Sequence, residues 1–200
     1  MCNLYRMTNS ADEVARWFGA VNDLGGANFG AEVFPGYPGA VIAGGRLRQM
    51  TWGFPLQLTS KVTGKPLKPK PVNNTRSDKL GSYMWRYSFE ERRCLIPLSA
   101  WAEAEGPRGG KTRTWMSLPD AELFSVAGIW RDTSEWGACY SMVMTDSAGD
   151  AAEVHSRMPV VLTEGQRQIW TEGSAEAAYA LCTPYEGPLA IDRTATPWAG

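Results

Sequence analysis

The chain is short of most features that would assign a function directly. It has a single histidine, His155, and four cysteines, Cys2, Cys94, Cys139 and Cys182, with no Cys-x-x-Cys pair among them. The scattered cysteines give no zinc-ligand spacing and no disulfide framework, so no metal and no cofactor are expected. No run of about eighteen apolar residues occurs, and the N-terminus has no apolar segment of the secretory type. The expectation is therefore a soluble, reduced, cytoplasmic protein with no membrane partner. Net charge is −1, which leaves no global excess of positive charge. Any nucleic-acid contact has to come from a local basic patch. Internal repeats are absent, and no linker divides the sequence.

What is present fits one folded unit. At 200 residues, with 44% hydrophobic and 20% charged residues, the chain can build a sizeable core as a single domain over 1–200. Nine tryptophans are many for this length; some belong to the core, and the number leaves candidates for an aromatic binding surface. Ser10 and Glu13 form a capping box in front of a short amphipathic helix that Gly19 stops. Residues 22–39 read as loop. Residues 40–54 read as a hairpin around Gly44-Gly45. A helix is expected over 77–86, strands over 93–97, 113–118, 123–130 and 139–145, and helices after the caps Thr163 and Ser174. Strand-rich stretches with irregularly interspersed helices predict an α+β fold. Its sheet should be mostly antiparallel and barrel-like, with peripheral helices.

The second residue is Cys2. Cysteine is small enough to permit removal of Met1, and the chain would then begin with a free amine and a thiol on one residue. These groups titrate near ~7.7–8.0 and ~8.5, so a fraction of each is nucleophilic at neutral pH. Such a terminus attacks carbonyls.

Four other stretches carry candidate chemistry. Residues 57–71 hold Lys61, Lys65, Lys68 and Lys70 with three prolines, which exclude a helix or central strand. This is either a solvated loop or a basic flap beside a phosphate backbone. Asn73-Asn74-Thr75-Arg76-Ser77 is either a helix cap or an amide that positions substrate, with Arg76 as a phosphate clamp. Trp101, Glu103 and Glu105 share one face if their stretch is extended. That face is either a solvated edge or the seat of a carboxyl with raised pKa that serves as general acid or base. His155 and Arg157 stand just before the apolar run Met158–Leu162, at a strand mouth.

Taken together, these stretches resemble the SOS response-associated peptidase (SRAP) family, the abasic-site processing proteins. The resemblance rests on Met1-Cys2-Asn3-Leu4-Tyr5, Trp52-Gly53 with Pro55, and Asn74-x-Arg76. It continues in Arg93-Cys94-Leu95-Ile96-Pro97 followed by Glu103, and in His155-x-Arg157-Met158-Pro159. The matches keep the family's order over roughly residues 1–162. Departures occur at Asn3-Leu4, where many relatives have Gly-Arg, and at Leu56-Gln57, where some carry a tryptophan pair.

The resemblance implies a protein, here expected to be a monomer, that binds single-stranded DNA containing abasic sites. The amine and thiol of Cys2 would form a thiazolidine crosslink with the lesion's aldehyde after Met1 is removed. A self-processing peptidase activity would remove Met1. Cys2, Asn74, Glu103 and His155 would be catalytic, and Arg76, Arg157, Trp52, Lys68 and Lys70 would contact DNA. Two other readings remain: a cysteine-type N-terminal hydrolase acting on another substrate, and a non-catalytic single-strand-binding module.

Overall fold

In the computed structural model, which describes residues 2–26 and 30–198, five strands close a barrel. Pro38–Ala43 and Arg46–Trp52 form the expected hairpin, and its Gly44-Gly45 turn has φ of 58° and 70°. Both values lie in the left-handed region that a two-residue hairpin turn requires and that glycine adopts without strain. Pro38–Ala43 touches Arg93–Leu98 at Ile42–Leu95. Arg93–Leu98 pairs antiparallel with Phe124–Thr133, which pairs antiparallel with Gly137–Asp146. A parallel contact of Gly137–Asp146 with Arg46–Trp52, through Cys139–Thr51 and Tyr140–Trp52, completes the ring.

Four of the barrel strands are buried on both faces over most of their length, which explains their apolar runs, whereas Arg46–Trp52 alternates between buried and more exposed residues. One face bears Val41, Ile96, Val126, Tyr140 and Met142 and packs with Cys2, Tyr5 and Trp101. The opposite face bears Ile42, Leu95, Ile129 and Val143 and packs with Val14, Phe89 and Trp170 of the helices. The indole N–H of Trp170 donates to the carbonyls of Cys94 (3.0 Å) and Gly128 (3.2 Å), fastening its helix to two barrel strands.

A second antiparallel sheet runs in the order Ala190–Pro197, Thr112–Ser117, Ala100–Glu105, Leu4–Arg6 and Glu32–Val33. Its strand Ala190–Pro197 is mostly exposed and polar, so it lacks the apolar pattern by which a strand is recognised.

The helix Ala11–Trp17 carries both hydrogen bonds of its capping box, and Glu164–Glu172 and Ala175–Ala180 follow their expected caps. The helix expected over 77–86 is not formed as such. Ser77–Lys79 is a single 3-10 turn, and the α-helix occupies Arg86–Glu91. Gly81-Ser82 interrupts the run, and the Ser82 carbonyl instead accepts from Trp85 and Arg86. Within 22–39, read as loop, Glu32–Val33 pairs with the N-terminal strand. The lysine-rich stretch is a two-stranded ribbon. Phe54–Leu56 pairs with Lys70–Val72, Thr59 bridges Pro66, and the Gln57 amide donates to the Leu67 carbonyl (2.6 Å). Pro55 lies opposite Pro71, which a ribbon outside the main sheets tolerates. Among the described residues no helix is long and apolar enough to cross a membrane.

Candidate active site around Cys2

The N-terminal strand is anchored one turn of pleat beyond Cys2. Leu4 pairs with Ala102 and Tyr5 with Trp101. The Tyr5 ring meets Trp52 edge-on at 5.0 Å, and its hydroxyl lies 2.5 Å from that of Tyr140. Gly39 passes so close to both hydroxyls that a Cβ there would collide with them. This anchoring holds Cys2 fully buried, and its thiol donates to the Leu4 carbonyl (3.4 Å).

The backbone carbonyl of Cys2 is gripped from across the fold. It accepts from the side-chain amides of Asn73 (3.0 Å) and Asn74 (2.6 Å). Asn74 reaches it because Asn74–Arg76 adds in parallel to Gly137–Asp146, with Asn74 beside Met142. The backbone of Asn73 is fixed in turn, since its carbonyl accepts from the Trp52 indole and from Met142 N–H, both at 2.9 Å. Asn74 therefore holds the cysteine's carbonyl through its N–H₂. Its Oδ1 is buried and has no hydrogen-bond partner among the described residues, so it remains an available acceptor.

Glu103 lies two residues along from Trp101 in Ala100–Glu105, so the two share a face as their alternation predicts. Only 2% of Glu103 is exposed. Burial raises its carboxyl to about 7, with the charge of Lys111 opposing the rise. Burial also pushes the Cys2 thiol far up, and the nearby Glu103 charge pushes it further. The thiol thus needs a base to become nucleophilic, and the adjacent carboxyl is poised near neutrality to be one. Glu105, on the same face but at the strand end, accepts from the Thr114 hydroxyl (2.8 Å) and pairs with Arg193 (3.1 Å). Those contacts make it structural.

His155 closes the helix Gly149–Val154 in an extended conformation. Its Nδ1 lies within hydrogen-bond distance of both the backbone N–H (3.0 Å) and the carbonyl (3.2 Å) of Arg157, which fixes the ring against the Arg157 backbone. Burial lowers its pKa, and the cationic Lys111 and Arg157 act in the same direction. The charge of Lys111 acts on both Glu103 and His155.

The expected DNA contacts divide into three sets. Arg76 forms a two-point pair with Asp78 (2.9 and 2.7 Å), and Arg157 pairs with Asp146 (3.4 Å). The charge of Arg157 also acts on Asp78, which pairs with Arg76 and lies 3.9 Å from Lys79. Lys68 and Lys70 are exposed on the ribbon. Trp52 requires correction as a DNA contact: it is completely buried, stacked on Tyr140 at 6.4 Å, with its N–H used internally. No ring face is left for a base, so Trp52 supports the site from behind.

Sequence reasoning missed Asn73 as a second holder of Cys2, and Lys111, whose charge acts on Glu103 and His155. The turn-forming Gly109-Gly110 before Lys111 was the available signal. Met1 and its removal lie outside the described residues. All four cysteines are free thiols, and among the described residues no cluster of His, Cys, Asp or Glu could hold a metal.

Fold and site together define a barrel protein built around a buried cysteine at position 2. The chain belongs to the SOS response associated peptidase (SRAP) family, whose sequence model matches residues 1–195. Its fold is shared by a crystal structure from Bacteroides thetaiotaomicron (TM-score 0.79, 20% identity, covering 96% of this chain and 91% of that one). A protein from Bordetella bronchiseptica is equally similar (TM-score 0.79, 22% identity, 96% and 99% covered). A phage-related protein from the same organism follows at TM-score 0.68 and 16% identity, with 96% and 94% covered. No functionally curated protein matches the chain. Family membership supports a peptidase-like role associated with the SOS response.

Proposed function

We propose that this protein, once Met1 is removed, captures abasic sites in single-stranded DNA as a covalent thiazolidine on Cys2 and so shields the lesion. The observation that carries the reading is the double amide grip of Asn73 and Asn74 on the Cys2 carbonyl, with Glu103 buried beside the thiol. A peptide carbonyl does not need two donors for folding alone. Two donors hold the residue's amine and thiol in one orientation, which is what ring closure requires.

In the proposed reaction the Cys2 nitrogen attacks the aldehyde carbon of the ring-opened sugar. Glu103, in its acid form, delivers a proton to the oxygen and takes one from the nitrogen; a second such transfer lets the oxygen leave as water, and a C=N bond remains. Both nitrogen protons thus end in the water, and Glu103 is again in its acid form. Asn74 Oδ1 is the acceptor that orients the amine before attack. The Cys2 sulfur then adds to the C=N carbon, forming a C–S bond, and the thiol proton passes to the nitrogen through Glu103. One water is lost overall. His155 stabilises the sugar oxygen during opening, and burial disfavours its charged form. Arg76 and Arg157 bind phosphates after exchanging their aspartate partners, and Lys68 and Lys70 add attraction from the ribbon.

The self-processing step uses the same groups. Water adds to the Met1 carbonyl with Glu103 as base, the Met1–Cys2 C–N bond breaks, and the proton goes to the Cys2 nitrogen.

Intact-mass measurement tests this directly. The purified chain should lack Met1, and mixing it with an abasic oligonucleotide should give a heat-stable adduct equal to the two masses less one water. Cys2→Ala should give no thiazolidine, and Cys2→Ser at most a labile imine. Processed protein that leaves the lesion unmodified sinks the reading. An acyl adduct trapped on Cys2 from another substrate would favour an N-terminal hydrolase instead.

A further inference from the structure

Two cavities share one wall, Trp198. The first, about 370 Å³, is lined by Asn3, Leu4, Phe34, Pro35, Asn73 and Trp198. The second, about 400 Å³, lies between the Gly109–Thr112 turn and Pro197-Trp198. Both volumes are in the range of small-ligand sites. The placement of Trp198 is specified: Ala190–Pro197 pairs with Thr112–Ser117, and Trp198 N–H donates to the Lys111 carbonyl at 2.9 Å. Trp198 and Phe34 both pack, half-buried, on the patch formed by Leu4, Ala100, Ala102 and Trp115.

The first cavity adjoins the reactive residue. Its wall includes Asn3, the neighbour of Cys2, and Asn73, whose single amide nitrogen donates both to the Cys2 carbonyl and to Asn3 Oδ1 at 3.0 Å. Its lining is aromatic and amide in character, with no charged side chain. Aromatic walls with amide groups suit a flat heteroaromatic ring. The second cavity carries one cation, Lys111, suited to a phosphate. An alternation of stacking wall and phosphate-holding cation is the chemistry of a nucleic-acid single strand.

We propose that Phe34 and Trp198 form the subsite for the nucleobase next to the lesion, and that Lys111, on the far side of Trp198, holds the adjoining phosphate. This rests on the reading of the protein as a single-strand binder. It adds a positioning role to residues that take no part in bond making.

The test uses Met1-free protein and oligonucleotides carrying a tetrahydrofuran analogue, which has no aldehyde. Affinity is measured with either flanking base present or deleted. Trp198→Ala should weaken binding about tenfold when both bases are present. Trp198→Phe should recover most of the loss. Deleting the base that occupies the subsite should make Trp198→Ala and wild type equal. The reaction of Cys2 with a small free aldehyde, followed by mass, should be unchanged in Trp198→Ala. Equal affinities with both bases present would overturn the proposal. So would a loss that ignores which base is deleted, or one that extends to the small aldehyde, because either marks a merely structural role. Wild type that binds the analogue yet never crosslinks a true abasic site would overturn the crosslinking reading alone, since the subsite is read from binding.

Discussion

The Asn74 side-chain amide donates to the Cys2 carbonyl across 2.6 Å, joining residues 72 positions apart. This bond ties Cys2 to a strand of the barrel wall, so the candidate site exists only when the whole sheet is assembled. Asn74→Ala removes a donor and leaves a buried carbonyl with Asn73 alone. The expected cost is about 1–3 kcal/mol of stability, with crosslinking slowed about tenfold or more at unchanged DNA affinity. Denaturant unfolding and single-turnover crosslinking check the two parts. Loss of affinity without loss of rate would contradict the positioning role.

Glu103 gives a pH dependence with a definite sign. The folded carboxyl holds its proton up to about 7, whereas the ordinary value is 4.5. The folded state therefore binds more protons between these limits, and stability falls as pH rises through that window. Glu103→Gln removes this loss. Relative to wild type, the variant should gain on the order of 3 kcal/mol between pH 4 and pH 8. The same substitution should abolish the crosslinking maximum near neutral pH. Parallel stability–pH curves for the two proteins would refute the buried, proton-holding state of Glu103.

The ribbon lysines predict a salt effect without a chemical one. Replacing Lys68 and Lys70 together by Ala should lower the slope of log affinity against log salt for single-stranded DNA by about 0.7 per lost phosphate contact. The rate of the bound complex should stay the same. An unaltered slope would mean that the ribbon does not lie along the strand.

Gly39 tests the anchoring of the N-terminal strand. A Cβ there would collide with the hydroxyls of Tyr5 and Tyr140, both fully buried. Gly39→Ala should cost about 1–3 kcal/mol, roughly 2–12 °C in Tm for a chain of this length. Because Tyr5 sets the position of Cys2, crosslinking should fall as well. Tyr140→Phe in the same background should restore part of the stability by removing one clashing oxygen.

Local signals carried far. The capping boxes at Ser10 and Thr163, the Gly44-Gly45 turn and the long apolar strands were all legible, because each depends on residues within a few positions of one another. The candidate residues Cys2, Asn74, Glu103 and His155 were legible too, through the ordered motifs that surround them. The polar strand Ala190–Pro197 was not, since its pairing with Thr112–Ser117 rests on backbone hydrogen bonds rather than on an apolar pattern. The helix expected at 77–86 failed where Gly81 outweighed the flanking residues.

The sequence by itself determined which groups could react: a cysteine placed to become the terminus, a carboxyl in an alternating strand, and one histidine. Only the tertiary structure decided how they behave. Burial makes Glu103 titrate near 7, and parallel addition of the 74–76 strand brings two amides onto Cys2. Trp52, a plausible stacking surface in the sequence, is turned inward, while Trp198 is placed beside the site. These outcomes depend on contacts between residues distant along the chain, and those contacts are made only when the barrel closes.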